Sequence, residues 1–258
     1  MKIAIVLIFL VCAAGLWAGV AAATDWTAAQ VATTRMEAKT FTSTGTKPIK
    51  VEYLLYLPKG YKTNSATGWP LMIYLHGAGE QSDNVSGVTW HGPPQLVRRG
   101  SDFPFIIVAP LCPKKPWSDT KLLHMLNGVE KEYKVDTNRV YLTGMSMGGA
   151  GTWSLGLTQA KRFAAIAPIC GNVSPNFLKK LTSKQTEAIK SLPVWAFHGA
   201  KDTTVLPVVS ERMVEALIKM GSTNVFYMKY PNADHDSWTA TYKSQGFYQW
   251  LLKQKREP

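Results

Sequence analysis

Arg139-Val140-Tyr141-Leu142-Thr143-Gly144-Met145-Ser146-Met147-Gly148-Gly149 is the stretch that decides how the rest of the chain is read. After Arg139, the next four residues are β-branched, aromatic or apolar, and the run predicts a short strand. Ala150 to Leu157 follow with small and apolar residues, and predict a tightly packed helix. Strand, G-x-S-x-G, helix is the context in which a serine is carried on a sharp turn above a sheet. The glycines have a steric reason. A side chain at Gly144 or Gly148 meets the neighbouring strand or helix, so both positions favour a residue without a Cβ. Ser146 is thereby pushed out as a candidate nucleophile. The Met147 N–H, at the helix N-terminus, is aimed to stabilise an oxyanion forming beside it.

Working outward, the flanking segments alternate strand with helix. Val51–Leu57, Leu71–Leu75, Phe105–Pro110, Phe163–Gly171, Leu192–His198 and Val225–Tyr230 are short runs rich in apolar residues, several of them apolar throughout, as expected of strands buried on both faces of a sheet. Leu122–Tyr133, Val208–Met220 and Phe247–Leu252 have helical spacing, and about Pro94 to Arg99 predicts a short helix. Lys39–Thr46 begins an edge hairpin, and Asp136-Thr137-Asn138 reads as the turn before the Ser146 strand. Residues 172–192 are polar and lysine-rich, and read as an insertion flanking the site as a partial lid. The alternation predicts an α/β fold with a mostly parallel sheet and helices on both faces.

The other chemistry-bearing residues all lie just past predicted strands, so they converge on one sheet edge. His76-Gly77-Ala78-Gly79-Glu80 leaves the Leu71–Leu75 strand, and its glycines let the backbone bend toward Ser146; the Ala78 N–H is the candidate second oxyanion donor. His76 reads as an anchor of this loop. Asp202 follows the Leu192–His198 strand and His235 follows the last strand. A serine hydroxyl is a poor nucleophile without a base in reach, and the order Ser146, Asp202, His235 supplies the base and the acid that orients it. Asp234 and Asp236 adjoin His235, but neighbouring side chains on an extended loop diverge, which favours Asp202. His198, at its strand's exit, reads as a structural histidine bonding to the Asp202 loop. Trp90 and Trp117 sit in loops at this edge as candidate substrate contacts. The chemistry calls for no cofactor and no metal.

Composition limits the alternatives. The chain has 258 residues, 46% of them hydrophobic and 11% aromatic, enough for one large core. Residues 1–23 read as a signal peptide: Lys2, an apolar run from Ile3, and an Ala21-Ala22-Ala23 cleavage site. The competing reading is an uncleaved transmembrane anchor, for which the apolar stretch is just long enough; its small-residue tail favours cleavage. Residues 24–258 read as a single domain, exported to the periplasm or secreted, with no stable membrane insertion after cleavage. The net charge of +12 is carried by scattered lysines. It reads as a solvated basic surface, not a nucleic-acid site. Cys112 and Cys170 remain after cleavage. An oxidising compartment permits a bridge between them, and the sequence leaves bridged and free states open.

Four motifs in this order, Leu75–Glu80, Gly144–Gly149, Gly199-Ala200-Lys201-Asp202 and His235-Asp236-Ser237-Trp238, resemble the α/β-hydrolase superfamily over about residues 40–254. Within it they resemble the secreted esterases grouped with feruloyl and acetylxylan esterases, polyhydroxybutyrate-depolymerase-like proteins and "predicted peptidases", and more distantly phospholipase/carboxylesterase and dienelactone-hydrolase proteins. Where such proteins often carry a basic residue and a glycine after the Gly-Glu pair, this chain has Gln81-Ser82. The resemblance implies a serine carboxylic-ester hydrolase, acting on small-molecule or polysaccharide-linked acyl esters such as those of plant polysaccharide. A serine peptidase and a non-catalytic binding protein of the same fold are the alternative readings. Oligomeric state is not legible.

Overall fold

A computed structural model describes residues 35–62, 66–114 and 116–256. The expected signal segment, residues 1–23, lies outside the described residues.

Eight strands among the described residues form one sheet: β1 (Met36–Thr42), β2 (Lys50–Tyr56), β3 (Trp69–Leu75), β4 (Ile106–Pro110), β5 (Val135–Met145), β6 (Ala165–Ile169), β7 (Val194–Gly199) and β8 (Val225–Tyr230). Their order across the sheet is β1-β2-β4-β3-β5-β6-β7-β8. β1 and β2 form an antiparallel hairpin, and β2 runs antiparallel to β4. From β4 to β8 every pairing is parallel. Among the described residues, seven α-helices flank the sheet: α1 (Gly92–Arg98), α2 (Asp119–Glu132), α3 (Met147–Thr158), α4 (Ser183–Lys190), α5 (Val208–Lys219), α6 (Trp238–Lys243) and α7 (Gln245–Lys253).

The apolar runs explain the two-sided core. Side chains alternate across a strand, and β3 sends Leu71, Ile73 and Leu75 to one face and Met72 and Tyr74 to the other. The cluster on the first face also takes in Leu126 of α2, Trp153 of α3, Ile189 of α4 and Met213 of α5. That on the second takes in Val97 of α1, Tyr242 of α6 and Phe247 of α7. A strand buried this way has no polar-facing positions, which is why its sequence shows no alternation.

Three expectations are corrected. The predicted turn at Asp136-Thr137-Asn138 is the start of β5, which pairs with β3 already at Val135 opposite Trp69 and then shifts register before Leu71. The polar residues there serve the irregularity: the Asn138 N–H donates to Asp136 Oδ1 at 3.0 Å, and Arg139 Nε donates to Asp136 Oδ2 at 2.7 Å. The helical part of the 172–192 insertion is no lid. Gln185 of α4 donates to the Thr158 carbonyl at 3.0 Å, at the C-terminal end of α3, about 18 Å along that helix from its start beside Ser146. Ile189 and Leu192 are buried there, so burial of an apolar stripe holds the helix far from the site. The chain also closes with two helices instead of one, because Trp238–Lys243 is helical. Cys112 and Cys170 are both free and buried.

Candidate active site

Ser146 ends β5 and begins α3 with φ 52° and ψ −115°, a left-handed backbone that a residue with a Cβ adopts only when its surroundings impose it. The surroundings do so here. The Ser146 N–H donates to the Ile169 carbonyl at 2.9 Å, tying the turn to β6. A Cβ on Gly144 would stand 2.5 Å from the Gly148 carbonyl oxygen, and one on Gly148 would penetrate the Leu75 carbonyl. The elbow is compact because α3 presses its first turn against both neighbouring strands.

Ser146 Oγ lies 2.9 Å from His235 Nε2, and His235 Nδ1 lies 2.6 Å from Asp202 Oδ2. Three strand exits, after β5, β7 and β8, thus meet although their residues are far apart in sequence. Gly199 makes room for this: a Cβ there would overlap the backbone carbonyls of Ala233 and Asp234, the residues leading into His235. The Asp202 side chain is fully buried, and that of His235 is 22% exposed. With Asp202 accepting at Nδ1–H, His235 Nε2 presents its lone pair to the serine hydroxyl.

Asp202 is held from four directions. Oδ1 accepts from the Thr204 and Val205 N–H groups at 2.8 and 2.9 Å, while Oδ2 accepts from His235 and, at 3.1 Å, from His198 Nε2. Burial pushes this carboxyl up, but the His235 hydrogen bond and the Val205 and Thr204 N–H groups outweigh it and hold it below the usual carboxylate range. His198 Nε2 also donates to the Val205 carbonyl at 2.8 Å, so Nε2 carries the proton and Nδ1 accepts from Ser210 Oγ at 2.7 Å. Burial lowers its pKa, keeping it neutral. The rival carboxylates are occupied locally: Asp234 accepts from the Asp236 N–H, and Asp236 accepts from the Thr239 N–H and hydroxyl at the start of α6.

The two expected oxyanion donors are free. Neither the Met147 N–H, at the first position of α3, nor the Ala78 N–H, at the start of the 3-10 turn Ala78–Glu80, has an acceptor among the described residues. The loop bearing Ala78 is anchored by His76, which is fully buried. The Cys112 N–H donates to His76 Nε2 at 2.9 Å, so the Nδ1–H donates to the Gly77 carbonyl at 2.7 Å.

The tryptophans fall in different places. Trp117 packs edge-on to His76, and its Nε1–H donates to the His76 carbonyl at 3.3 Å. It lies against Gly151 of α3 and lines a cavity of about 350 Å³ that Ser146 does not line. Packing therefore accounts for much of its surface. Trp90 is 57% exposed. Trp238 stands between two imidazoles, its ring edge-on to His235 at 5.3 Å and to His91 at 5.7 Å. The sequence marked Trp238 only as part of the His235 loop and gave no sign of its pairing with His91.

Cys170 is the neighbour that the motifs did not announce. It is the second non-glycine residue with positive φ, at 41°, and its thiol, pushed up to about 12 by burial, lies with its Sγ within 4.8 Å of ligand atoms of Asp202 and His235. That trio has the residue types of a soft-metal site. The Asp202 oxygens, however, already accept four hydrogen bonds, so the donor set is committed to the Ser146–His235–Asp202 chain.

A parallel sheet with a strand–serine–helix turn at its carboxyl edge is the architecture of the α/β-hydrolases, and the chain has that fold. The family model described as phospholipase/carboxylesterase matches residues 118–245. A bifunctional acetylxylan esterase/xylanase from Neocallimastix patriciarum is 30% identical over 173 residues, covering 64% of this chain and 23% of that one. A "probable feruloyl esterase C" from Aspergillus terreus is 30% identical over 132 residues, 47% of each chain. The chain spans half or less of the length of these curated relatives. Among solved structures, a thermostable esterase superposes with a TM-score of 0.66 at 30% identity, over 86% of this chain and 64% of that one. An acylaminoacyl peptidase from Pyrococcus horikoshii has a TM-score of 0.64 at 13% identity over 92% and 45%, a likeness of fold.

Proposed function

We propose that the protein is a serine hydrolase of carboxylic esters, with Ser146 as nucleophile, His235 as general base and Asp202 as its orienting acid. The single observation that carries this reading is His235 bridging the Ser146 hydroxyl and the Asp202 carboxylate. Ser146 Oγ attacks the acyl carbonyl while its proton passes to His235 Nε2. Asp202 steadies the imidazolium, and the Met147 and Ala78 N–H groups receive the tetrahedral oxyanion. Collapse expels the alcohol, protonated by His235, and leaves an acyl group on Ser146. Water deprotonated by the same imidazole then releases the acid. Each oxyanion donor of this kind is worth about 10²–10³ in rate.

The names of the relatives, acetylxylan esterase and feruloyl esterase, support a substrate class of acyl esters such as those of plant polysaccharide, which is part of the proposal, with Trp90 and Trp117 as aromatic contacts. Export rests on the N-terminal pattern through Ala23, with residues 24–258 as the mature domain, and amino-terminal sequencing of the exported protein is expected to begin at Thr24. The decisive experiment is a panel of p-nitrophenyl acyl esters, methyl ferulate, acetylated xylan and peptide amides, with Ser146→Ala as control. Ester turnover that vanishes in the folded variant is expected. Amide turnover exceeding ester turnover, or an active Ser146→Ala protein, overturns the reading.

A further inference from the structure

The mechanism leaves one buried ionisable group unused. Glu80 ends the 3-10 turn that begins at Ala78, and only 2% of it is exposed. Its Oε2 accepts the Gly77 N–H at 2.8 Å. Gly77 immediately precedes Ala78, so this bond fixes the His76–Gly77 peptide, one link before the peptide that carries the candidate oxyanion donor. Glu80 Oε1 and the Tyr74 hydroxyl are both buried without a partner in good geometry among the described residues, and each is the other's polar neighbour. The groups facing the carboxyl are Tyr74 from β3, the Gly77 N–H, the His91 N–H from the segment before α1, and Tyr242 from α6. None of them is a cation.

We propose that Glu80 is a positioning residue, a neutral carboxylic acid that clamps Gly77 and so holds the Ala78 N–H over the Ser146 hydroxyl. The inference deepens the serine-hydrolase reading and rests on it. A neutral acid fits this pocket better than a carboxylate. Its carbonyl-like oxygen takes the Gly77 N–H and its O–H can donate to the Tyr74 oxygen; a carboxylate can accept from Tyr74 in turn, so the missing counter-charge decides between the two forms. A carboxylate there lacks a counter-charge, and burial accordingly drives this group up to about 8. Deprotonation puts a buried negative charge behind the loop that must receive a second negative charge in the transition state, which opposes catalysis.

The test compares wild type, Glu80→Ala and Glu80→Gln in kcat and KM for p-nitrophenyl acetate from pH 6 to 10, with far-UV circular dichroism to establish folding. Glutamine imitates the neutral acid, one oxygen for Gly77 and an N–H for Tyr74. Glu80→Ala is expected to lower kcat by about 10²-fold with KM within about threefold, the signature of a contact made mainly in the transition state. Glu80→Gln is expected to recover at least about tenfold of that loss and to lack the fall in kcat that wild type shows as pH rises through about 8. A folded Glu80→Ala protein with wild-type kcat overturns the proposal, as does a Glu80→Gln profile that keeps the alkaline fall. The latter decides the matter if the alanine variant does not fold. Turnover that depends on Ser146 but ignores Glu80 overturns this inference alone, whereas turnover surviving Ser146→Ala overturns the hydrolase reading with it.

Discussion

His198 donates from Nε2 to the same Asp202 oxygen that accepts from His235, at 3.1 Å. The acid that orients the candidate base is therefore itself oriented by a second, buried and neutral imidazole, whose own proton position is fixed by the Val205 carbonyl and Ser210. Asp202→Asn is expected to lower kcat by about 10³–10⁴-fold with the protein folded, because the amide no longer selects the tautomer. His198→Ala is expected to cost about 1–3 kcal/mol of stability, by orphaning buried polar groups, and to lower kcat by about tenfold or less, because three donors to Asp202 remain. Urea denaturation and steady-state kinetics on both variants check the pair. A larger kcat loss in His198→Ala than in Asp202→Asn contradicts this division of labour.

Two buried carboxyls give stability opposite dependences on pH. The Asp202 pKa is depressed by folding, so its contribution is present above the unfolded carboxylate range and is lost as pH falls below about 4. The Glu80 pKa is raised to about 8, so the folded state holds a proton that the unfolded state has released, and stability declines as pH rises toward that value. His76, His91 and His198, all lowered mainly by burial, act only below the ordinary histidine range. Between pH 6.5 and 8 Glu80 therefore dominates among the shifted groups, and wild type is expected to lose on the order of 1–2 kcal/mol. Urea midpoints at the two pH values read this loss, and Glu80→Gln is expected to flatten it. An unchanged slope in that variant places the titrating group elsewhere.

Gly199→Ala separates stability from function. The added methyl overlaps the Asp234 and Ala233 carbonyls, so the loop into His235 must retreat while the core of β7 stays packed. A fall in kcat of about 10²-fold or more is expected, with a loss of stability of about 1–3 kcal/mol. Gly148→Ala is expected to fare worse, because its methyl meets the Leu75 backbone at the centre of the sheet. Comparing soluble yield, melting temperature and kcat for both proteins tests the contrast; a fully active Gly199→Ala protein contradicts it.

Both thiols are buried and unbridged. Dithiothreitol is expected to leave the melting temperature unchanged, and a thiol reagent is expected to find Cys112 and Cys170 only as the protein unfolds. A lowered melting temperature under reductant would instead reveal a bridge.

The sequence made the sheet legible because strands buried on both faces are unbroken apolar runs, and β3, β4, β6 and β7 are of this kind. It made Ser146, Asp202 and His235 legible because each follows a strand and their order matches an elbow motif. It misread Asp136-Thr137-Asn138, where turn-forming residues serve an irregular strand pairing. It misplaced the 172–192 insertion, since amphipathic spacing identifies a helix but not the surface that receives it. Glu80 was read as one letter of a loop motif, and its clamp on Gly77 depends on a tertiary burial that no local pattern records. The same is true of Cys170, whose left-handed backbone becomes visible only once β6 lies beside the Ser146 turn.

His235 is suspended from β8, and β8 is the last strand of the sheet among the described residues, with no fully buried residue along its length. Ser146, by contrast, leaves the central, fully paired strand. The two halves of one hydrogen bond thus belong to regions that open at different cost. As temperature or denaturant rises, the margin of the sheet is expected to fray while its centre holds, and turnover is expected to vanish before the bulk secondary structure does. The working lifetime of this protein is set at its border.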